Sequence, residues 1–170
     1  MKIQYRPGNL LEAEERFIAQ GCNAQGKMGK GLALAIKENL PYAYDAYMVR
    51  FNSEGLRLGQ TIWALPPKGF HHTVINCITQ DRYRKTYEDD NVVYADYEAI
   101  LKCVRQINNT AFVSRELNAR WLGGPIDAVA FPLIGAGLAG GDWAIIAAII
   151  EEEATEFQPV VYLNGQKVPE

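Results

Sequence analysis

The sequence predicts an α/β fold, with a mainly parallel β-sheet covered by helices on both faces. Three observations predict it. Short runs rich in β-branched and aromatic residues alternate with longer runs whose apolar residues recur at helical spacing. The helical runs stand between strands, as crossovers between parallel strands require. Two glycine-rich stretches each follow a strand-like run and open a helical one, where such sheets bind ligands. The 170 residues are read as one domain, 1–170, long enough for a sizeable core.

Lys2 to Tyr5 reads as a first strand ending at Pro7-Gly8, and Arg16 to Cys22 (RFIAQGC) as a second. Lys30 to Leu40 places Leu32, Ala35, Ile36 and Leu40 at helical spacing and stops at Pro41. Pro41 to Phe51 is a second helix with Tyr44, Tyr47, Met48 and Phe51 on one side. Gln60 to Leu65 is a third strand, closed by Pro66-Pro67-Lys68-Gly69, and Thr73 to Thr79 (TVINCIT) a fourth. Val93 to Ile107 repeats apolar residues at Tyr97, Ile100, Leu101, Val104 and Ile107, a helical period. Asp127 to Leu133 is a fifth strand. Asp142 is the N-cap expected for a helix carrying Trp143, Ile146, Ala147 and Ile150. Pro159 to Leu163 completes the sheet. These stripes are core rather than cofactor contacts.

Composition narrows the function. The chain is 48% hydrophobic and 22% charged, with a formal net charge of −3 and a pI near 5.5. Direct nucleic-acid binding is not expected from that balance, because it needs a positive field. Phosphate can still be held by backbone N–H groups, which need no net positive charge. The N-terminus lacks the apolar core of a signal peptide, and no run nears the about 18 apolar residues of a membrane span. Cys22, Cys77 and Cys103 are widely spaced and read as buried thiols of a reducing cytoplasm, the expected location. No metal site and no cofactor is expected, and His71-His72 reads as a surface connection. Glu151-Glu152-Glu153 reads as a solvated helix face, and a monomer is the favoured state.

The first glycine-rich stretch is Cys22-Asn23-Ala24-Gln25-Gly26-Lys27-Met28-Gly29-Lys30-Gly31-Leu32-Ala33. Its glycines permit close backbone approach, and the helix that follows aims free N–H groups and a dipole at an anion. Leu-Ala after Gly31 rules out a Walker A motif, which requires Lys-Ser/Thr. The second stretch, Pro132 to Trp143 (PLIGAGLAGGDW), contains G-x-G-x-x-G. A dinucleotide fold would then need an acidic residue about 20 positions on, at the end of the next strand. That strand ends at Tyr162-Leu163-Asn164, so the Rossmann reading fails.

These residues resemble the macrodomain family. The likeness spans nearly the whole chain and rests on Gly8-Asn9-Leu10, on Asn23 with Met28-Gly29-Lys30-Gly31-Leu32-Ala33, on Gly135-Ala136-Gly137-Leu138, and on Asp142-Trp143. It implies a three-layer α/β/α fold with a mixed, mainly parallel sheet that binds ADP-ribose across its crest. The branch it is most similar to holds ADP-ribose 1″-phosphate phosphatases, ADP-ribose protein glycohydrolases and antitoxins that remove ADP-ribose from DNA. Ile75-Asn76-Cys77-Ile78-Thr79-Gln80 looks most like the phosphatase-type members, phage-encoded ones included. The resemblance implies that Asn9, with Leu10 beside it, meets the adenine, where the family usually has aspartate. It places Asn23 at the distal ribose, and Gly29, Gly31, Gly135, Ala136, Gly137 and Leu138 at the diphosphate. Met28 and Leu32 are counted among the ligand-binding residues as well. Tyr162 and Asn164 lie near the adenine edge, although Tyr162 could equally be core.

Two departures bear on catalysis. The glycohydrolase and antitoxin members use a lysine just after the fourth strand, where this chain has Gln80. An acidic residue that the glycohydrolases place after the second-loop glycines is Ala139 here. A lysyl-sugar route therefore lacks its nucleophile. The remaining expectation is slow hydrolysis of ADP-ribose 1″-phosphate, with the phosphate beside Asn23, Gln25 and Lys27. There Lys27 stabilises developing charge, or is a solvated loop lysine, and Asp142 is either catalytic or only a cap. A non-catalytic ADP-ribose reader or scavenger needs the same binding residues and no more. A hydrolase acting on ADP-ribosylated macromolecules is the third reading. Asp81-Arg82-Tyr83-Arg84-Lys85-Thr86-Tyr87, followed by Glu88-Asp89-Asp90, reads as a solvated flap beside the site.

Overall fold

A computed structural model of the chain describes residues 1–85 and 91–169; Thr86, Tyr87 and the acidic run of the expected flap lie outside the described residues. Six strands and four helices follow in the order β1 (Gln4–Arg6), β2 (Phe17–Asn23), α1 (Gly31–Asn39), α2 (Pro41–Glu54), β3 (Thr61–Ala64), β4 (Thr73–Gln80), α3 (Tyr97–Glu116), β5 (Ala128–Phe131), α4 (Trp143–Glu153) and β6 (Gln158–Tyr162). The strands form one sheet of order β1-β6-β5-β2-β4-β3. All neighbours pair parallel except β3, which runs antiparallel to β4 at one edge. The sheet is mixed and mainly parallel.

Alternation along the strands sends side chains to two cores. Phe17, Ala19, Ile75, Cys77, Val129, Phe131 and Val161 pack under α3 and α4. Ile18, Val74, Ala130 and Val160 pack under α1 and α2, with Ile36, Leu40 and Ala43. Two helices on each face make the three-layer α/β/α architecture.

Helix α3 departs most from the expected boundaries. Val93 does not begin it, because the Tyr94 and Ala95 amides donate to the Ala139 carbonyl at 2.8 and 3.2 Å. Asp96 then caps the helix by accepting from the Ala99 amide at 2.8 Å. At the other end it continues past Ile107, burying Ala111 and Ser114 at the same spacing. Two further expectations are corrected. His72 is buried, its ring nitrogen 2.9 Å from the Ala13 carbonyl, so only His71 is a surface residue. The acidic run is not merely solvated: Glu151 pairs with Lys2 and Glu153 with Arg105, joining α4 to the N-terminus and to α3. All three cysteines are buried free thiols.

Because β1, β6, β5, β2 and β4 run parallel, their carboxyl ends share one edge, the crest. From β2 the chain leaves toward β4, and from β5 it leaves through α4 toward β6 on the other side. The crevice between β2 and β5 is thus a topological switch point, where loops splay apart and leave room for a ligand. Both glycine-rich stretches begin there.

Candidate functional site

The first loop leaves β2 at an irregularity. The register shifts between Cys22 and Asn23, so that Asn23 faces Gln80 while Cys22 faces Ile78. Asn23 is nearly buried, and its amide turns inward rather than toward the crevice. Its Oδ1 accepts from the Gln25 amide at 3.0 Å, the Lys27 amide at 3.3 Å and the Tyr47 hydroxyl at 3.0 Å. Its Nδ2 donates to the Lys27 carbonyl at 2.8 Å. The side chain expected at a distal ribose is therefore occupied in shaping the loop. The Met28 side chain is buried among Cys22, Tyr47, Ile62 and Ile78. Burial also pushes the Cys22 thiol far above its ordinary range, which removes it as a nucleophile at neutral pH.

After Met28 the loop opens donors. Helix α1 has Lys30 at its N-cap, and lysine cannot cap, so the first amides lack an intrahelical partner. Among the described residues the Met28, Gly29, Gly31, Leu32 and Ala33 amides have no protein acceptor. A Cβ placed on Gly29 would meet nothing within 4 Å. These donors cluster at the positive end of α1, an arrangement suited to phosphate oxygens.

The second loop is folded back on itself. The Gly141 amide donates to the Gly135 carbonyl at 2.8 Å, and that of Gly140 to Gly137 at 3.0 Å. The Ala136 amide, expected at the diphosphate, donates to the Leu133 carbonyl at 3.1 Å. Among the described residues the Gly135, Gly137 and Leu138 amides have no protein acceptor. Space above Gly137 is open, and the Leu138 side chain leans across to 3.4 Å from where a Gly31 Cβ would stand. The two loops thus meet, each with unused N–H groups.

Farther along the crest, Arg6, Pro7, Gly8, Asn9, Glu12, Glu14 and Tyr162 line a cleft of about 340 Å³. It sits at the ends of β1 and β6, roughly 10 Å from the β5/β2 crevice at two strand spacings. Asn9 caps the short 3-10 helix Leu10–Glu12, its Oδ1 accepting from the Leu11 amide at 3.0 Å. One lone pair of that oxygen and the amide protons stay available to a ligand. Leu10, expected beside the adenine, has its side chain buried in the core. The Tyr162 ring is buried too, and its hydroxyl donates to Glu15 at 2.8 Å. Burial, and then the bond to Glu15, raises its pKa. Asn164 is exposed in a left-handed turn, its amide held by the Gly8 carbonyl at 2.8 Å.

The groups expected to do chemistry differ in freedom. Gln80 is half-buried and donates to the Arg82 carbonyl at 2.7 Å. Gln25 is exposed, and its side-chain amide makes a long 3.4 Å contact to Asp81. The Lys27 ammonium is exposed, without an ion pair among the described residues. Asp142 caps α4 by accepting from the Ala144 amide at 2.8 Å, and its own amide donates to the Tyr97 hydroxyl at 2.9 Å. Asp142→Ala should cost about 1 kcal/mol in chemical denaturation, whereas Asp142→Ser, which still caps, should be nearly neutral. Equal losses in both variants would show that the carboxylate's charge, not its capping bond, sets the stability.

Sequence reasoning missed Tyr47, which it took only for part of an apolar stripe. The phenol is fully buried beside Asn23, and no local sequence signal marks it. Among the described residues no cluster of His, Cys, Asp or Glu could hold a metal ion, and no helix is long and apolar enough to cross a membrane.

Comparison with known proteins supplies the context. The Macro domain family model matches residues 19–150. A curated relative from Thermus aquaticus, a DNA ADP-ribosyl glycohydrolase, is 26% identical over 88% of this chain, which spans only 37% of that protein's length. An ADP-ribose 1″-phosphate phosphatase from Scheffersomyces stipitis is 24% identical over 94% of this chain and 99% of its own. Among solved structures, Thermosipho africanus DarTG in complex with ADP-ribose superposes with a TM-score of 0.73 at 19% identity, over 98% of this chain and 43% of that one.

Proposed function

The chain belongs to the Macro domain family, and from that premise we propose that its crest binds ADP-ribose and hydrolyses ADP-ribose 1″-phosphate to ADP-ribose and phosphate. One observation carries the binding: two glycine loops meet over the β2/β5 switch point, each with amides that no protein group uses among the described residues. The diphosphate lies between them. The adenine reaches the cleft at Asn9, about the distance that separates a base from its diphosphate. The distal ribose and its 1″-phosphate then fall on the side of Lys27 and Gln80.

Hydrolase relatives of two kinds support a hydrolase in general. For the phosphatase, the candidate cation is the exposed Lys27, whose ammonium can neutralise charge on the phosphoryl oxygens. Asn23 acts indirectly here, by holding the loop. Removal of ADP-ribose from macromolecules is the less supported route, since the resemblance puts a nucleophilic lysine where this chain has Gln80. A reader without turnover is favoured by a different observation: the Asn23 amide is committed to internal bonds, and Asp142 serves as a cap.

Calorimetry should give heat on adding ADP-ribose, and phosphate should be released slowly from ADP-ribose 1″-phosphate. Lys27→Ala should slow release about tenfold or more while changing ADP-ribose affinity much less. No binding at millimolar ADP-ribose would overturn the central reading. Tight binding without phosphate release would leave the reader.

A further inference from the structure

Helix α2 grips the first glycine loop from below. The Tyr47 hydroxyl donates to Asn23, 2.7 Å from its carbonyl and 3.0 Å from Oδ1, and accepts from the Lys27 amide at 3.1 Å. Asn23 closes the circuit through the Gln25 amide and the Lys27 carbonyl. One turn further along α2, the Phe51 ring stands 2.8 Å from where a Cβ on Gly26 would lie. Met28 is buried beside the same tyrosine. The bonds of this latch tie down the Asn23 carbonyl, the Gln25 amide and both backbone groups of Lys27, and the Met28 and Gly29 amides, which have no protein acceptor among the described residues, follow directly.

We infer that Tyr47 is a positioning residue, which sets the first loop's N–H donors in place before any ligand arrives. A glycine-rich loop left free would lose its conformational entropy on binding; the latch moves that loss to folding. The ligand served is the diphosphate, so this inference rests on the ADP-ribose reading. It adds that affinity for the diphosphate is controlled from a side chain the ligand never touches.

Tyr47→Phe keeps the ring and removes only the hydroxyl. In the free variant, amide hydrogen exchange at Gln25 and Lys27 should speed up about tenfold or more, while amides of α3 and α4 keep wild-type rates. ADP-ribose and ADP should lose affinity alike, by about tenfold, with AMP changed less than about twofold. Unchanged exchange at Lys27, or faster exchange throughout α3 and α4, would overturn the latch. An equal loss for AMP would overturn its link to the diphosphate. If the wild type binds no ADP-ribose, the proposed function falls, and the exchange rates alone decide the latch.

Discussion

Gly137→Trp is expected to abolish ADP-ribose binding while leaving the protein folded. A Cβ at Gly137 meets nothing within 4 Å, and the residue is exposed. An indole there needs no rearrangement of the core, so unfolding free energy should stay within about 0.5 kcal/mol of wild type. The space it fills is the space the proposal gives to the diphosphate. Loss of that contact should weaken binding at least about a hundredfold, or ~2.7 kcal/mol. Gly29→Trp, on the facing loop and equally open, should do the same. Calorimetry on the folded variants checks both. Binding within a few-fold of wild type would mean that the ligand does not pass between the loops.

Much of this arrangement was legible in the sequence, for a physical reason. A strand of a parallel sheet is buried on both faces, and the short, β-branched run TVINCIT suits one. Helix α4 was legible because Asp142 offers an acceptor to the first turn and apolar residues follow at helical spacing. The start of α3 was not, because Val93 and Tyr94 fit the helical period while their segment bonds to the second loop, far away in sequence. Its end was obscured by Asn108, Asn109 and Thr110, which dilute the apolar stripe although Ala111 and Ser114 resume it.

The site shows the same division. Glycines at strand ends are visible in a sequence, and so is the missing cap at Lys30. Whether a polar side chain faces the ligand or the fold is decided by partners that sequence spacing does not reveal. The resemblance put Asn23 at the distal ribose. Its amide is instead matched by Tyr47 on α2, which shares the buried cluster with Cys22 and Met28. Ala136 was expected as one of the second loop's four donors, yet the tight turn from Leu133 uses its N–H. The expected phosphate contacts therefore narrow to residues whose amides have no turn partner.

The glycines themselves divide into those a ligand needs and those the fold needs, and Gly141→Ala tests the second class. A Cβ at Gly141 would stand 2.7 Å from the Gly135 carbonyl oxygen, 3.0 Å from the Ala95 Cβ and 3.1 Å from the Ile146 Cδ1. The nearest of these is backbone, and it is the acceptor of the 2.8 Å bond from the Gly141 amide that closes the second loop. No side-chain rotation relieves the clash, so the loop must spread and the bond must lengthen. The cost should be about 2–3 kcal/mol, the range for overpacking a tight site, and the melting temperature should fall by roughly 5–10 °C. Thermal and urea unfolding of the variant measure it. Well below the new melting temperature ADP-ribose should still bind, though more weakly, because spreading the loop moves the Gly135 and Gly137 amides without filling the crevice. Gly137→Trp should show the reverse, with stability kept and binding gone. An unchanged melting temperature for Gly141→Ala would show that the loop has room to spread, and that closure from Gly135 to Gly141 does not hold its donors in place.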